Sequence, residues 1–235
     1  MLFSKIYKLY LSPDRSYFRL LKNLLGFVPD NLNLYRMSFR HRSMAVTSKS
    51  GAKNSNERLE FLGDAVLGCV IAEELFKLYP YKDEGFLTEM RSKIVSRMSL
   101  NQLGKRLGLD GIIEFDKQIF GHNSSRQGSI LGDAFEALIG AIYVDKGYNF
   151  TRKFITDRII KPHIDIYALE RTETNFKSKL LEWCQRRGKA LRFDLIANEE
   201  GESARLFTIQ IIIDGQNYAV GRDYNKKMQK KLLLI

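Results

Sequence analysis

Through the first 160 or so residues, apolar positions recur at three- and four-residue spacing, the period of an amphipathic helix. The pattern predicts helices over residues 64–78, 87–107, 130–145 and 150–160, with Pro80, Gly85, Gly108, Gly121 and Gly147 falling at or between their ends. Residues 1–10 are apolar but carry Lys5 and Lys8, so they are expected to begin a helix packed on the domain that stops before Pro13. Residues 47–56 are polar with one glycine and are expected to form a loop. Near residues 162–174 the composition changes. Residues 175–187 look helical, with Phe176, Leu180, Leu181, Trp183 and Cys184 as the apolar face, and then the period drops to two. Strands are expected over 191–197, over the β-branched run 206–213 and over 216–221, the last two joined by the turn signal Asp214-Gly215. A short basic helix closes the chain. The fold class is therefore two-domain: an all-α domain over 1–162, a linker over 163–173, and a small α+β domain (α-β-β-β-α) over 174–235.

Two of the predicted helices carry acids where apolar residues are expected. Residues 56–67 read Asn-Glu-Arg-Leu-Glu-Phe-Leu-Gly-Asp-Ala-Val-Leu, and Glu57, Glu60 and Asp64 fall within about 60° of each other on a helix. Such a stack is repulsive by a few tenths of a kcal/mol per pair and needs compensation. Residues 130–141 are apolar except for Asp133 and Glu136, one helical turn apart, and Gly132, Ala134, Ala137, Gly140 and Ala141 leave room for a neighbouring helix. If the two helices pack together, Glu60, Asp64, Asp133 and Glu136 converge, and four unpaired buried charges demand a cation, protonation or water. Oxygen ligands without a Cys or His partner favour Mg2+, with Mn2+ as a substitute, over zinc.

Composition narrows the remaining classes. At 235 residues, with 44% hydrophobic and 28% charged residues, the chain supports a sizeable core under a charged surface. No apolar run reaches the length of a membrane span, and the first residues lack a signal-peptide core, so no membrane partner and no export are expected. Two cysteines, Cys69 and Cys184, make no disulfide framework; both are expected in helices, Cys69 as core filling, and a reducing cytoplasm fits. The three histidines have no zinc spacing, and His41 is expected to be structural or capping. The net charge of +11 points to an anionic partner, nucleic acid first. Residues 1–170 hold 25 basic and 19 acidic side chains, an excess of six, and residues 171–235 hold 13 and eight, an excess of five in a much shorter segment. Positive charge is denser in the second module.

The segment 56–67 resembles the defining motif of the ribonuclease III family, and 128–145 resembles its second acidic helix. The likeness extends to Phe39-Arg40-His41-Arg42-Ser43, to Asp83-Glu84-Gly85 and to Met90-Arg91-Ser92-Lys93, and it covers roughly residues 30–231. It implies an endonuclease domain followed by a double-stranded RNA-binding domain that reads A-form shape rather than base sequence. By this resemblance Glu60, Asp64, Asp133 and Glu136 are the metal-binding set, with Glu136 and then Asp64 mattering most to catalysis. Glu57 and Glu84 are supporting acids near a subunit interface, and Phe61 is the apolar plug of a homodimer. Ser178 and Gln185 on the first helix of the second module, with Lys226, Lys227 and Lys230 on its last, are the implied RNA contacts. The implied reaction is Mg2+-dependent cleavage of double-stranded RNA to 5′-phosphate and 3′-hydroxyl ends with two-nucleotide 3′ overhangs. The implied setting is maturation of ribosomal and messenger RNA precursors in the cytoplasm, with no small-molecule cofactor. A non-cleaving double-stranded RNA-binding protein on the same scaffold is the rival, and an intact acidic set speaks against it. The second module departs from the family pattern: its 200–205 loop lacks the usual Pro-His pair, Leu181 replaces a glutamine, and the last helix is short. Weaker RNA binding by that module is the expectation.

Overall fold

Helix boundaries in the first unit follow capping chemistry. The computed structural model describes residues 2–47, 53–116, 124–172, 176–200 and 205–223, and it divides the chain into two compact units, Met1–Leu169 and Glu170–Ile235. Helix α1 (Leu2–Ile6) continues as a wider-turned segment, Tyr7–Leu11, that ends at Ser12 before Pro13. It packs through buried Leu9 and the pair between Lys8 Nζ and Asp30 Oδ1 at 2.9 Å, as expected. Helix α2 (Arg15–Leu25) stops at Gly26, whose φ of 79° is the left-handed conformation that closes helices. Helix α3 (Leu32–Ser38) is capped by Asn31, whose side chain accepts from the Asn33 N–H.

Helix α4 (Glu57–Leu78) begins directly after the polar stretch 47–56, carries the helical period of 64–78 back through the acidic motif as expected, and runs until Tyr79-Pro80. The predicted helix over 87–107 is two helices, α5 (Glu84–Ile94) and α6 (Arg97–Arg106). The break is a cap: Ser96 is extended, with ψ of 145°, and its hydroxyl accepts from the Ser99 N–H. Periodicity does not see such an interruption, because the apolar stripe resumes in phase. Helix α7 (Ser124–Lys146) is the longest, followed by α8 (Tyr148–Phe154), which runs on through Ile155–Ile160 and Lys161–His163. The expected linker 163–173 contains a short helix, α9 (Ile166–Arg171), whose Leu169 C=O accepts from Lys93 Nζ at 3.2 Å. The polar stretch before α4 holds a two-residue ladder, β1 (Val46–Thr47) against β2 (Lys53–Asn54).

Helices α4 and α7 form the centre of this unit. Leu59, Val66, Leu67, Val70, Ile71 and Leu75 of α4 meet a helix buried on most sides, with Phe135, Ala137, Leu138, Ile139, Ala141 and Ile142 fully covered. A Cβ on Gly63 would lie 1.7 Å from the Glu136 carbonyl oxygen, and one on Gly140 would lie 2.2 Å from the Leu59 carbonyl oxygen. The two backbones touch at this crossing. Asp145 ties the far end of α7 to α3: its carboxylate accepts from the N–H groups of Asp30 and Asn31 and from the Tyr35 hydroxyl at 2.8 to 3.0 Å. Cys69 is exposed rather than core, because the buried stripe of α4 runs through Val66, Leu67 and Val70 and turns position 69 outward.

The second unit comprises α10 (Phe176–Arg186) and an antiparallel sheet in the order β3 (Leu191–Glu200), β4 (Arg205–Ile213), β5 (Gln216–Asp223). Asp214 and Gly215, at φ of 50° and 79°, make the expected tight hairpin. Cys184, Ile211 and Ile213 form its core with Leu180, Leu191 and Phe193. The basic segment 224–235 and the loop 201–204 lie outside the described residues. Among the described residues, no helix is long and apolar enough to cross a membrane.

Candidate functional site

The crossing at Gly63 and Gly140 decides where the acids of the two helices go. Glu60 of α4 and Asp133 and Glu136 of α7 each bring a carboxylate oxygen within 4.8 Å of the others. All three are half-buried. Among the described residues this is the one grouping of His, Cys, Asp or Glu that can hold a metal ion. Asp64, one turn further along α4, lies outside that tight trio but lines the same cavity of about 600 Å³. Glu57, Phe61, Asn56, His41, Arg42 and Arg97 complete its walls.

Without a cation the trio resists full ionisation. Burial first, then the charges of Asp64, Glu60 and Asp133, push the Glu136 carboxyl up to about 7, against the pull of Arg97. Burial, Asp133 and Glu57 likewise raise Glu60, and burial raises Asp133. A half-buried carboxyl such as Glu136, which keeps its proton up to about 7, is poised to exchange it for a hard divalent cation, whose preferred ligands are oxygens. The donor set therefore fits magnesium or manganese.

Residue patterning gives no sign of the cationic wall. Arg97 is the first residue of α6, and its charge opposes the upward shifts at Glu60, Asp133 and Glu136. Nothing in its local sequence marks it, since only the packing of α6 on α7 brings it to the acids. His41 caps the short turn Arg42–Met44 as expected, its Nδ1 accepting from the Ser43 N–H at 3.1 Å, but it also lines the cavity. Burial, and then Arg42, push its imidazole pKa down. Asn56 is 1% exposed, and its Nδ2 has no hydrogen-bond partner among the described residues. Leaving such a donor unsatisfied costs about 1–3 kcal/mol.

The remaining predicted residues divide. Glu57 sits at the cavity's rim, held by the Ser55 hydroxyl at 3.1 Å and approached by Arg42 at 4.0 Å. Glu84 lies in the first turn of α5, accepts from the Thr88 hydroxyl at 2.9 Å, and does not line the cavity. Phe61 is 80% exposed, which excludes an ordinary core role. In the second unit Gln185 is exposed on α10, while the side chain of Ser178 lies outside the described residues. Lys226, Lys227 and Lys230 fall outside the described residues.

Comparison with known proteins matches this geometry to a family. Residues 31–163 match the family model described as ribonuclease-III-like, and residues 176–231 match the double-stranded RNA binding motif. The chain is 43% identical to ribonuclease 3 of Flavobacterium psychrophilum over 235 residues, covering 97% of this chain and 93% of that one. It is 42% identical to ribonuclease 3 of Bacteroides fragilis over 97% of this chain and 78% of the relative. The solved nuclease domain of ribonuclease III from Campylobacter jejuni is 34% identical with a TM-score of 0.52, covering 58% of this chain and 92% of that domain. With its acids gathered at the crossing of two helices and an α-β-β-β unit following in the sequence, this chain belongs to the ribonuclease III family of endoribonucleases.

Proposed function

We propose that this endoribonuclease cuts both strands of double-stranded RNA with Mg2+, for which Mn2+ can substitute, acting as a homodimer on ribosomal precursors and other structured transcripts. The observation that carries the reading is the meeting of Glu60, Asp133 and Glu136, with Asp64 on the same cavity wall. These four carboxylates would hold the cation, which when bound lowers the pKa of an attacking water and stabilises charge on the leaving oxygen. Glu136, whose carboxyl is pushed up to about 7, would give up its proton to serve as a ligand to the cation. Arg97 and Arg42 supply positive charge at the rim, where an RNA phosphate would enter. With water adding to the phosphorus and the P–O3′ bond breaking, the 3′-oxygen would leave and take up a proton, giving 5′-phosphate and 3′-hydroxyl ends.

Pairing of two chains is supported by the exposed face of α4. Phe61 and Phe76 stand 80% and 70% exposed, and Ala65 and Cys69 between them are small and exposed as well. A twofold contact along this stripe repeats each carboxylate cluster on one duplex, so that each centre cuts one strand. Two-nucleotide 3′ overhangs are the expected product of that arrangement. Glu57, beside Phe61, and Glu84, on the neighbouring helix, would support the interface. The second unit would bind the duplex through Ser178, Gln185, Lys226, Lys227 and Lys230, meeting phosphates and 2′-hydroxyls. A cytoplasmic setting agrees with two free cysteines.

The deciding experiment incubates a long perfect RNA duplex with the protein in magnesium and in EDTA and sequences the product ends. Cutting in magnesium alone, with two-nucleotide 3′ overhangs, is expected. A duplex bound but left intact in both magnesium and manganese would establish the non-cleaving rival instead.

A further inference from the structure

Asn56 is the group at the carboxylate cavity that its own surroundings leave unexplained. Its side chain is buried, lines the cavity, and offers an Nδ2 donor that no described residue accepts. Its main chain is held on both sides: the N–H donates to the Arg40 carbonyl at 2.9 Å, and its own carbonyl accepts from the Glu60 N–H at 2.8 Å. Helix capping does not account for the side chain, which makes no cap hydrogen bond at the start of α4. The nearby Glu57 carboxylate accepts from Ser55 instead. A buried amide left without an acceptor, on a main chain held this firmly, calls for an explanation, and a ligand that brings the acceptor with it supplies one. The wall around it carries Glu57, Glu60, Asp64, Asp133 and Glu136, so an incoming oxygen must travel with positive charge.

We propose that Asn56 is a positioning residue whose Nδ2–H donates to an oxygen carried into the carboxylate cavity with a divalent cation, either a cation-bound water or a non-bridging oxygen of the phosphodiester. The inference rests on the nuclease reading above. It adds an amide hydrogen-bond donor to a site dominated by charged side chains, and it gives the first residue of the 56–67 motif a role separate from the carboxylates.

The test compares the native full-length chain with Asn56→Ala and Asn56→Asp. Four quantities are read: the thermal midpoint in EDTA, Mn2+ affinity by calorimetry without RNA, and kcat and KM on a duplex. Asn56→Ala should melt no lower than the native chain in EDTA, because the unsatisfied donor is gone. It should lose about 10- to 100-fold in Mn2+ affinity or in kcat, the usual effect of removing a group that orients a metal site. A loss of Mn2+ affinity without RNA identifies the cation-bound water. Unchanged affinity with a lower kcat and an unchanged KM identifies the phosphate oxygen. Asn56→Asp keeps the shape and adds a charge that tightens Mn2+ binding, yet its kcat should stay low for want of the donor. The proposal is overturned by an Asn56→Ala chain that fails to fold or melts lower in EDTA. It is equally overturned if that variant keeps both native affinity and native kcat, or if Asn56→Asp cuts at the native rate. A native chain that cuts beside an equally active variant removes this inference alone. A native chain that neither cuts duplex nor binds Mn2+ removes the nuclease reading, and this inference with it.

Discussion

Glu136 is held protonated to about pH 7 by burial and by three acids around it. Its folded-state pKa exceeds the ordinary value of 4.5, so the proton it keeps contributes stability that is complete below about 4.5 and vanishes as pH rises through about 7. Glu60 and Asp133 shift the same way, while His41, pushed down, works in the opposite sense. The thermal midpoint in EDTA, measured against Glu136→Gln at each pH, should therefore fall for the native chain between about pH 5 and pH 8. A constant difference across that range would remove the shifted carboxyl from the account. With Mn2+ present the trend reverses, since the cation requires the proton to leave. Glu136→Gln should also cut duplex slower by about two to three orders of magnitude while still binding it. Arg97 makes an independent prediction. Removing its charge as Arg97→Gln relieves repulsion on an incoming cation, so Mn2+ binding at about pH 8 should tighten while duplex binding weakens and its salt slope shrinks by about one. Calorimetry and a salt titration separate this from a purely structural role, which would weaken both.

At the scale of elements, the acids meet because α4 and α7 can touch. Gly63 and Gly140 face the other helix's carbonyl oxygens with no room for a methyl group. Gly63→Ala should cost about 3 kcal/mol, the upper range for overpacking, read as a lower midpoint in urea, and any chain that still folds should bind Mn2+ more weakly. Native stability in the Gly63→Ala chain would mean that the helices separate without cost, and the crossing would not be what positions the site. The small residues of the 130–141 stretch signal this contact in the sequence, and the alternation of 206–213 signals a strand equally well. The division of 87–107 by Ser96 is not legible there. A serine inside an apolar stripe reads as a solvent-facing position until its hydroxyl is seen to take the Ser99 N–H.

For the whole molecule, the proposed pairing of two chains rests on α4's outer face. Phe61 at 80% exposure is costly on a monomer and useful at a twofold contact. Phe61→Ala should weaken self-association by about 30-fold, the effect of losing an interface anchor worth about 2 kcal/mol, and sedimentation equilibrium reads it directly. A native chain that sediments as a single subunit at micromolar concentration would exclude the paired arrangement. The net charge of +11, denser after residue 170, agrees with a second unit that holds an anionic duplex while the first cuts it.

Sequence alone determined the two modules, most of their helices and strands, and the four acids, because periodicity and turn chemistry are local and carboxylates in apolar stripes stand out against their neighbours. It also carried the family resemblance, since the 56–67 motif is contiguous. Tertiary structure decided that Glu60, Asp133 and Glu136 form the tight trio while Asp64 stands at the wall. It also turned Cys69 outward, left Glu84 off the cavity, and brought Arg97 and the unpartnered Asn56 to the acids. Each of these depends on which helix face meets which neighbour and at what distance. That information resides in the packing of residues far apart in the chain, and no local pattern carries it.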